Sequence, residues 1–117
     1  MIFRSEEVDG GVVGWCALAP MSTRHCYRGV AEVSVYVDVD WGGRGIGGRL
    51  LDALIEASEA EGIWTLYSSI FPENEATHRL HVRRGFAELG LRRRIAQLDG
   101  VWRDTLILER RSEVVGV

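Results

Sequence analysis

A chain of 117 residues with 46% hydrophobic and 26% charged residues has the size and balance of one globular domain, which excludes a disordered chain. No apolar run nears the roughly 18 residues that span a bilayer, so no membrane role is expected. The formal net charge of −3 excludes a general nucleic-acid binder, although all 14 basic residues are arginine.

The first predicted element is a β-hairpin over residues 8–19, turned at Asp9-Gly10, with only a stub of strand before the turn. Residues 20–28 follow as a polar surface loop carrying His25 and Cys26. Cys16 and Cys26 have neither metal-ligand spacing nor a Cys-x-x-Cys arrangement, so both are expected to be reduced thiols and no metal is expected. The N-terminus lacks a signal-peptide pattern, which leaves the cytoplasm as the expected compartment.

Residues 30–37 alternate cleanly, with Val33, Val35 and Val37 on one face and Glu32, Ser34 and Tyr36 on the other, which predicts a strand. Glu32 fits a solvated edge position or a functional carboxylate. After this strand, glycines at 42, 43, 45, 47 and 48 leave backbone N–H groups uncovered where a helix begins. That arrangement suits an anion, a pyrophosphate above all, although a tight strand-to-helix turn alone also uses glycine.

Ile46, Leu50, Leu51, Leu54, Ile55 and Ala57 then follow helical spacing to Glu61, with Gly62 as the stop. Residues 63–70 form the next predicted strand, ended by Phe71-Pro72. Asn74 stands at the N-cap of a short helix over 75–84, closed by Gly85 and carrying His78 and His81. Strands over 87–96 and 101–109, joined around Asp99-Gly100, complete the fold, and residues 110–117 suggest a flexible, frayed tail. The whole chain, 1–117, is thus one α/β (α+β) domain with a mixed, mostly antiparallel sheet flanked by helices.

Five separated segments carry a resemblance: Ala31 to Asp38, Arg44-Gly45-Ile46-Gly47, Glu73-Asn74-Glu75-Ala76-Thr77, Leu80-His81 with Gly85-Phe86, and Gly100 to Asp104. In that order the chain resembles the GCN5-related N-acetyltransferase (GNAT) superfamily, and within it the phosphinothricin and methionine-sulfone N-acetyltransferase branch. The resemblance implies a single acetyltransferase domain moving an acetyl group from acetyl-CoA to the amine of a small molecule or amino-acid analogue by direct attack. Val35, Tyr36 and Val37 would pair with the pantetheine arm like an added strand. Gly43, Arg44, Gly45, Ile46, Gly47 and Gly48 would wrap the pyrophosphate, and Asn74 would reach the cofactor near its thioester rather than act only as a cap. Glu32 matches the general base, direct or through water, and His81 the position from which the leaving thiolate is protonated; His81 equally suits plain packing. His78 and His25 are expected at the surface.

Two departures accompany the resemblance. Gly42 stands where the family places arginine or glutamine, which removes one cofactor-contacting side chain. The chain also starts at the hairpin, N-terminally shortened by a strand and helices relative to the family, and an exposed sheet edge and face then favour a homodimer. The competing expectation is a shortened acetyl-CoA-binding protein with a regulatory or interaction role and little catalysis.

Overall fold

The computed structural model describes residues 2–117. Ten elements include six strands and two α-helices: β1 (Ile2–Val8), β2 (Gly11–Pro20), β3 (Val30–Val37), α1 (Ile46–Ala60), β4 (Thr65–Ile70), α2 (Glu75–Val82), β5 (Ala87–Leu98) and β6 (Val101–Arg111), with short 3-10 turns at His25–Tyr27 and Val39–Trp41. The strands form one sheet in the order β1-β2-β3-β4-β6-β5. Only the β3–β4 pair is parallel, because α1 makes the crossover between them; two-residue turns join β1 to β2 and β5 to β6, a loop joins β2 to β3, and β6 reaches β4 after α2 and β5.

Both hairpins turn on Asp-Gly, at φ 52° and 80° for Asp9-Gly10 and 51° and 77° for Asp99-Gly100. Positive φ at both central residues gives the strand twist that a two-residue hairpin needs, and Asp and Gly tolerate it best. The stub expected before the first turn is a full strand. β1 pairs with β2 from Ile2 opposite Leu18 to Val8 opposite Gly11, with a bulge at Glu6/Glu7. Its Arg4-Ser5-Glu6-Glu7 centre hides the alternation, as edge strands often do.

The core lies between one face of the sheet and α1. Cys16, Leu18, Ala31, Val33, Leu66 and Leu108 come from the strands and meet Ile46, Leu50, Leu51 and Leu54 from the helix. Ser58 continues the helical stripe and satisfies its hydroxyl on the Ile55 carbonyl at 2.7 Å. α2 lies beside α1, held by Arg84, which donates to Asp52 at 2.9 Å and to the Gly48 carbonyl at 3.3 Å. The opposite sheet face carries a stacked ladder of Phe3, Trp15 and Tyr36, with ring centroids 6.0 and 6.1 Å apart.

The C-terminal stretch departs from a frayed tail. β6 runs through Arg111, and Ser112 is buried. The Ser112 hydroxyl donates to Glu59 at 2.6 Å and accepts from the amides of Val114 and Val115 at 3.1 and 3.0 Å. Arg111 donates to the carbonyls of Ser112, Val115 and Gly116 at 2.9, 3.0 and 2.6 Å. The bond to Glu59 ties this local turn to a segment remote in sequence, so no local pattern announces its anchoring.

Candidate functional site

β3 and β4 pair at only three positions, Val30 to Glu32 against Thr65 to Tyr67. Beyond Glu32 the strands part, while β3 stays paired to β2 through Val37. The β4-side edge of β3 therefore offers unpaired backbone groups over residues 33–37, and a cleft opens beside it.

The widest part of the cleft, about 500 Å³, lies at the start of α1. Val35, Tyr36 and Val37 make one wall, Gly43 and the run Gly45 to Gly48 with Ile46 make the floor, and Asn74 stands on the α2 side. Gly45 is the N-cap at φ 76°, a left-handed conformation that a side chain resists. No side chain caps this helix and its first turn has no acid. Its first i→i−4 bond runs from Arg49 to the Gly45 carbonyl at 3.1 Å, so among the described residues the amides of Ile46, Gly47 and Gly48 are without partners. A Cβ at Gly47 would come within 3.2 Å of Leu80, so the floor is also as close-packed as glycine allows. The donor set, partial positive charge on exposed amides, fits a phosphate.

Arg44 does not line the cleft. Its guanidinium stacks on Trp41, which does, at 4.4 Å from the ring centroid. Asn74 caps α2 by accepting from the Thr77 amide at 3.2 Å, the plain capping role, and it faces the cleft from that position.

Glu32 and His81 both line a smaller cavity of about 230 Å³, between β3, β4 and α2. Ser34, Ser68 and Ser69 give it a polar lining. A neighbouring space of about 210 Å³ adds Phe71 and Thr105. Val35 and Thr77 line all three spaces, so one path leads from the glycine floor to Glu32 and His81.

His81 is 2% exposed, and its ring meets Phe86 edge-on at 4.9 Å. Nδ1 lies 2.8 Å from the Thr77 carbonyl, an acceptor, so Nδ1 carries the proton and Nε2 presents a lone pair. Nε2 is buried without a partner. Burial pushes the imidazole below its ordinary pKa, aided by the charges of His78 and Arg84 and opposed by the Thr77 bond, which keeps the ring neutral. Tyr67, opposite Glu32 in the parallel pair, has its phenol pushed up by burial and then by the Glu32 carboxylate, with Arg92 acting against both. His78 pairs with Glu88 at 2.5 Å, away from the cavity lining.

The sequence profile of the Acetyltransferase (GNAT) family matches residues 2–86. The chain belongs to the GNAT family. Its GNAT domain is 35% identical over 99 residues to the phosphinothricin N-acetyltransferase of Streptomyces coelicolor, covering 85% of this chain and 58% of the relative. It is 33% identical over 108 residues to the L-methionine sulfoximine/L-methionine sulfone acetyltransferase of Pseudomonas paraeruginosa, covering 92% and 63%. The GNAT superfamily phosphinothricin acetyltransferase of Sinorhizobium meliloti, solved in complex with acetyl-CoA, superposes with a TM-score of 0.81 at 27% identity, covering 94% of this chain and 64% of that one. The chain spans about three fifths of the length of these curated relatives.

Sequence reasoning missed Trp41 and Thr77. Trp41 adjoins the glycine run, an aromatic beside an anion loop, and that adjacency was the available signal. Thr77 joins Asn74 to His81 through its own amide and carbonyl, which only the coiling of α2 reveals.

Proposed function

We propose that this GNAT protein is an acetyl-CoA-dependent N-acetyltransferase that acts on the amine of a small, amino-acid-like molecule. The observation that carries this reading is the single path from an uncapped glycine floor, along the unpaired edge of β3, to a carboxylate and an imidazole in one cavity. The glycine floor suits the diphosphate of the co-substrate, and the free edge of β3 at Val35 to Val37 suits the amides of its pantetheine arm. Asn74 faces the same route.

An amine attacks an acetyl thioester only when neutral, so its ammonium must first lose a proton. Glu32 draws the ammonium into the cavity and takes that proton, directly or through a water. The bond that forms is C–N and the bond that breaks is C–S, leaving a thiolate that must be protonated. His81 rests with a bare Nε2, so it serves the thiolate only after Nε2 has gained a proton within the cavity. No covalent enzyme intermediate is required, and neither cysteine lines the path.

We read the active form as a cytoplasmic homodimer. Supporting the dimer are the half-exposed Phe3 and Tyr36 of the aromatic ladder and the exposed Leu89, Leu91, Ile95 and Trp102 of the β5–β6 hairpin, large apolar side chains that a partner would cover. Sedimentation velocity giving a monomer at micromolar concentration would reject it.

Calorimetry with acetyl-CoA, followed by free-thiol release across an amine panel that includes phosphinothricin and methionine sulfone, tests the central reading. Saturable binding with amine-dependent thiol release is expected. Binding without release for every amine would overturn the enzymatic part, and no saturable binding would overturn both parts.

A further inference from the structure

An amine nitrogen sheds two protons on its way from ammonium to amide, and the leaving thiolate takes up one. His81 must receive that one at Nε2, because Nδ1 is held by the Thr77 carbonyl at 2.8 Å. Glu32 and His81, however, belong to opposite faces of the sheet. Glu32 alternates with Ala31 and Val33, which are buried against α1, so its side chain falls on the other face with Ser34 and Tyr36. His81 lies on α2, which packs beside α1.

A paired ladder closes a sheet to protons, and this one is broken at a single informative place. The last rung between β3 and β4 joins Glu32 to Tyr67. Val33 and Ser34 on one strand and Ser68 and Ser69 on the other flank the break. By alternation Ser34 and Ser69 fall on the Glu32 face, while Ser68, between the buried Leu66 and Ile70, falls on the His81 face. All three serines line the cavity that Glu32 and His81 also line.

Ser68 stands out for a second, independent reason. Among the described residues four polar side chains are buried: Ser58, Ser68, His81 and Ser112. Ser58 donates to the Ile55 carbonyl and Ser112 to Glu59, which are bonds of the fold. The Ser68 hydroxyl, on a residue 3% exposed, has no such bond among the described residues, and Nε2 of His81 has none either. Buried polar groups are normally paired, so two without partners on one polar cavity point to each other. A hydroxyl also donates and accepts at once, which a proton carrier must do.

We propose that Ser68 carries the amine's proton through the break in the sheet to Nε2 of His81, directly or across one water, so that the acid of the reaction is charged by its own substrate. Glu32 takes the first proton from the ammonium and passes it inward; Ser68 donates its hydroxyl proton to Nε2 as it accepts that one. The imidazolium then protonates the thiolate as the C–S bond breaks. The second proton, lost from nitrogen once the C–N bond has formed, goes to Glu32 and leaves to solvent. Ser68 acts through His81 and is a positioning residue. The proposal rests on the acetyltransferase reading, in which Glu32 is the base and His81 the acid.

Thiol-release kinetics and the ¹⁵N resonance of His81 Nε2 in the ligand-free protein test it together. Ser68→Ala is expected to lower kcat about tenfold, less than the loss of an acid–base group because water can fill part of the hydroxyl's place, with both KM values and the melting curve unchanged. Ser68→Thr, which keeps the hydroxyl, is expected to restore kcat. In a His81→Leu background Ser68→Ala is expected to cost nothing more, since the relay has lost its end. The Nε2 resonance is expected to move downfield in Ser68→Ala, as a lone pair does on losing a donor. Wild-type kcat in Ser68→Ala, an equal loss in the His81→Leu background, a loss in KM alone, or an unmoved Nε2 resonance would each overturn the relay while leaving the acetyltransferase reading intact. A wild type that releases no thiol with any amine would overturn that reading, and the relay with it.

Discussion

Replacing His81 with leucine separates what the imidazole does for the fold from what it does for chemistry. A buried polar atom without a partner costs about 1–3 kcal/mol, and Nε2 is such an atom. Leucine removes that cost. It also removes the Nδ1 bond to Thr77, about 1 kcal/mol, and the edge contact with Phe86, about 0.5–1.5 kcal/mol. The contributions nearly cancel, so His81→Leu is expected to lie within about 1.5 kcal/mol of the wild type at pH 7.5, a melting shift of no more than about 6 °C in either direction.

Its pH dependence has a definite sign. The folded ring binds a proton less readily than the unfolded one, whose pKa is near 6.5, so the unfolded state holds more protons as pH falls below that value. Wild-type stability contributed by His81 is therefore full above about pH 6.5 and declines below it. The leucine variant lacks that decline. Thiol release, by contrast, is expected to drop by about 10²–10³-fold, the usual contribution of one acid–base group. Paired melting curves at pH 5.5 and 7.5, with thiol-release kinetics, supply the test. A loss of more than about 2 kcal/mol at pH 7.5 would mean that Nε2 is satisfied in solution. Turnover within threefold of the wild type would remove His81 from the chemistry.

Three other outcomes are expected. Glu32→Gln should lower kcat/KM for the amine by about 10²-fold or more while leaving acetyl-CoA affinity and the melting temperature unchanged, because among the described residues Glu32 makes no side-chain hydrogen bond or ion pair. Unchanged kinetics would refute its role as base. Leu51→Ala, at a position 0% exposed in the centre of the core, should cost about 2–5 kcal/mol by urea denaturation; a loss under about 1 kcal/mol would mean the core collapses into the gap. Ser112→Ala leaves the amides of Val114 and Val115 without their acceptor, so their hydrogen exchange should accelerate at least tenfold while that of α1 is unaffected. Equal exchange in both proteins would restore the view of a freely fraying end.

Much of this fold was legible because its signals are local. Val30 to Val37 alternates at period two, and the structure gives β3 those same bounds. Asp9-Gly10 and Asp99-Gly100 each force a hairpin through backbone preference alone. α1 closes within a residue of the expected Glu61, since Gly62 sits at φ 79°. The illegible parts depend on distant partners: β1 has a polar centre and gains its identity from β2, and Arg110 to Ser112 are anchored by Glu59 and Trp64.

The strand, glycine run and helix start were set by sequence, because uncovered amides and a left-handed cap follow from glycine itself. Whether that floor leads anywhere was decided by tertiary structure. The parting of β3 from β4 after Glu32 opens the path, and the packing of α2 brings His81 to its end with one nitrogen bonded and the other bare. Nothing local in the chain encodes that pairing of a carboxylate and a neutral imidazole, since burial and the Thr77 carbonyl together fix the proton on the ring.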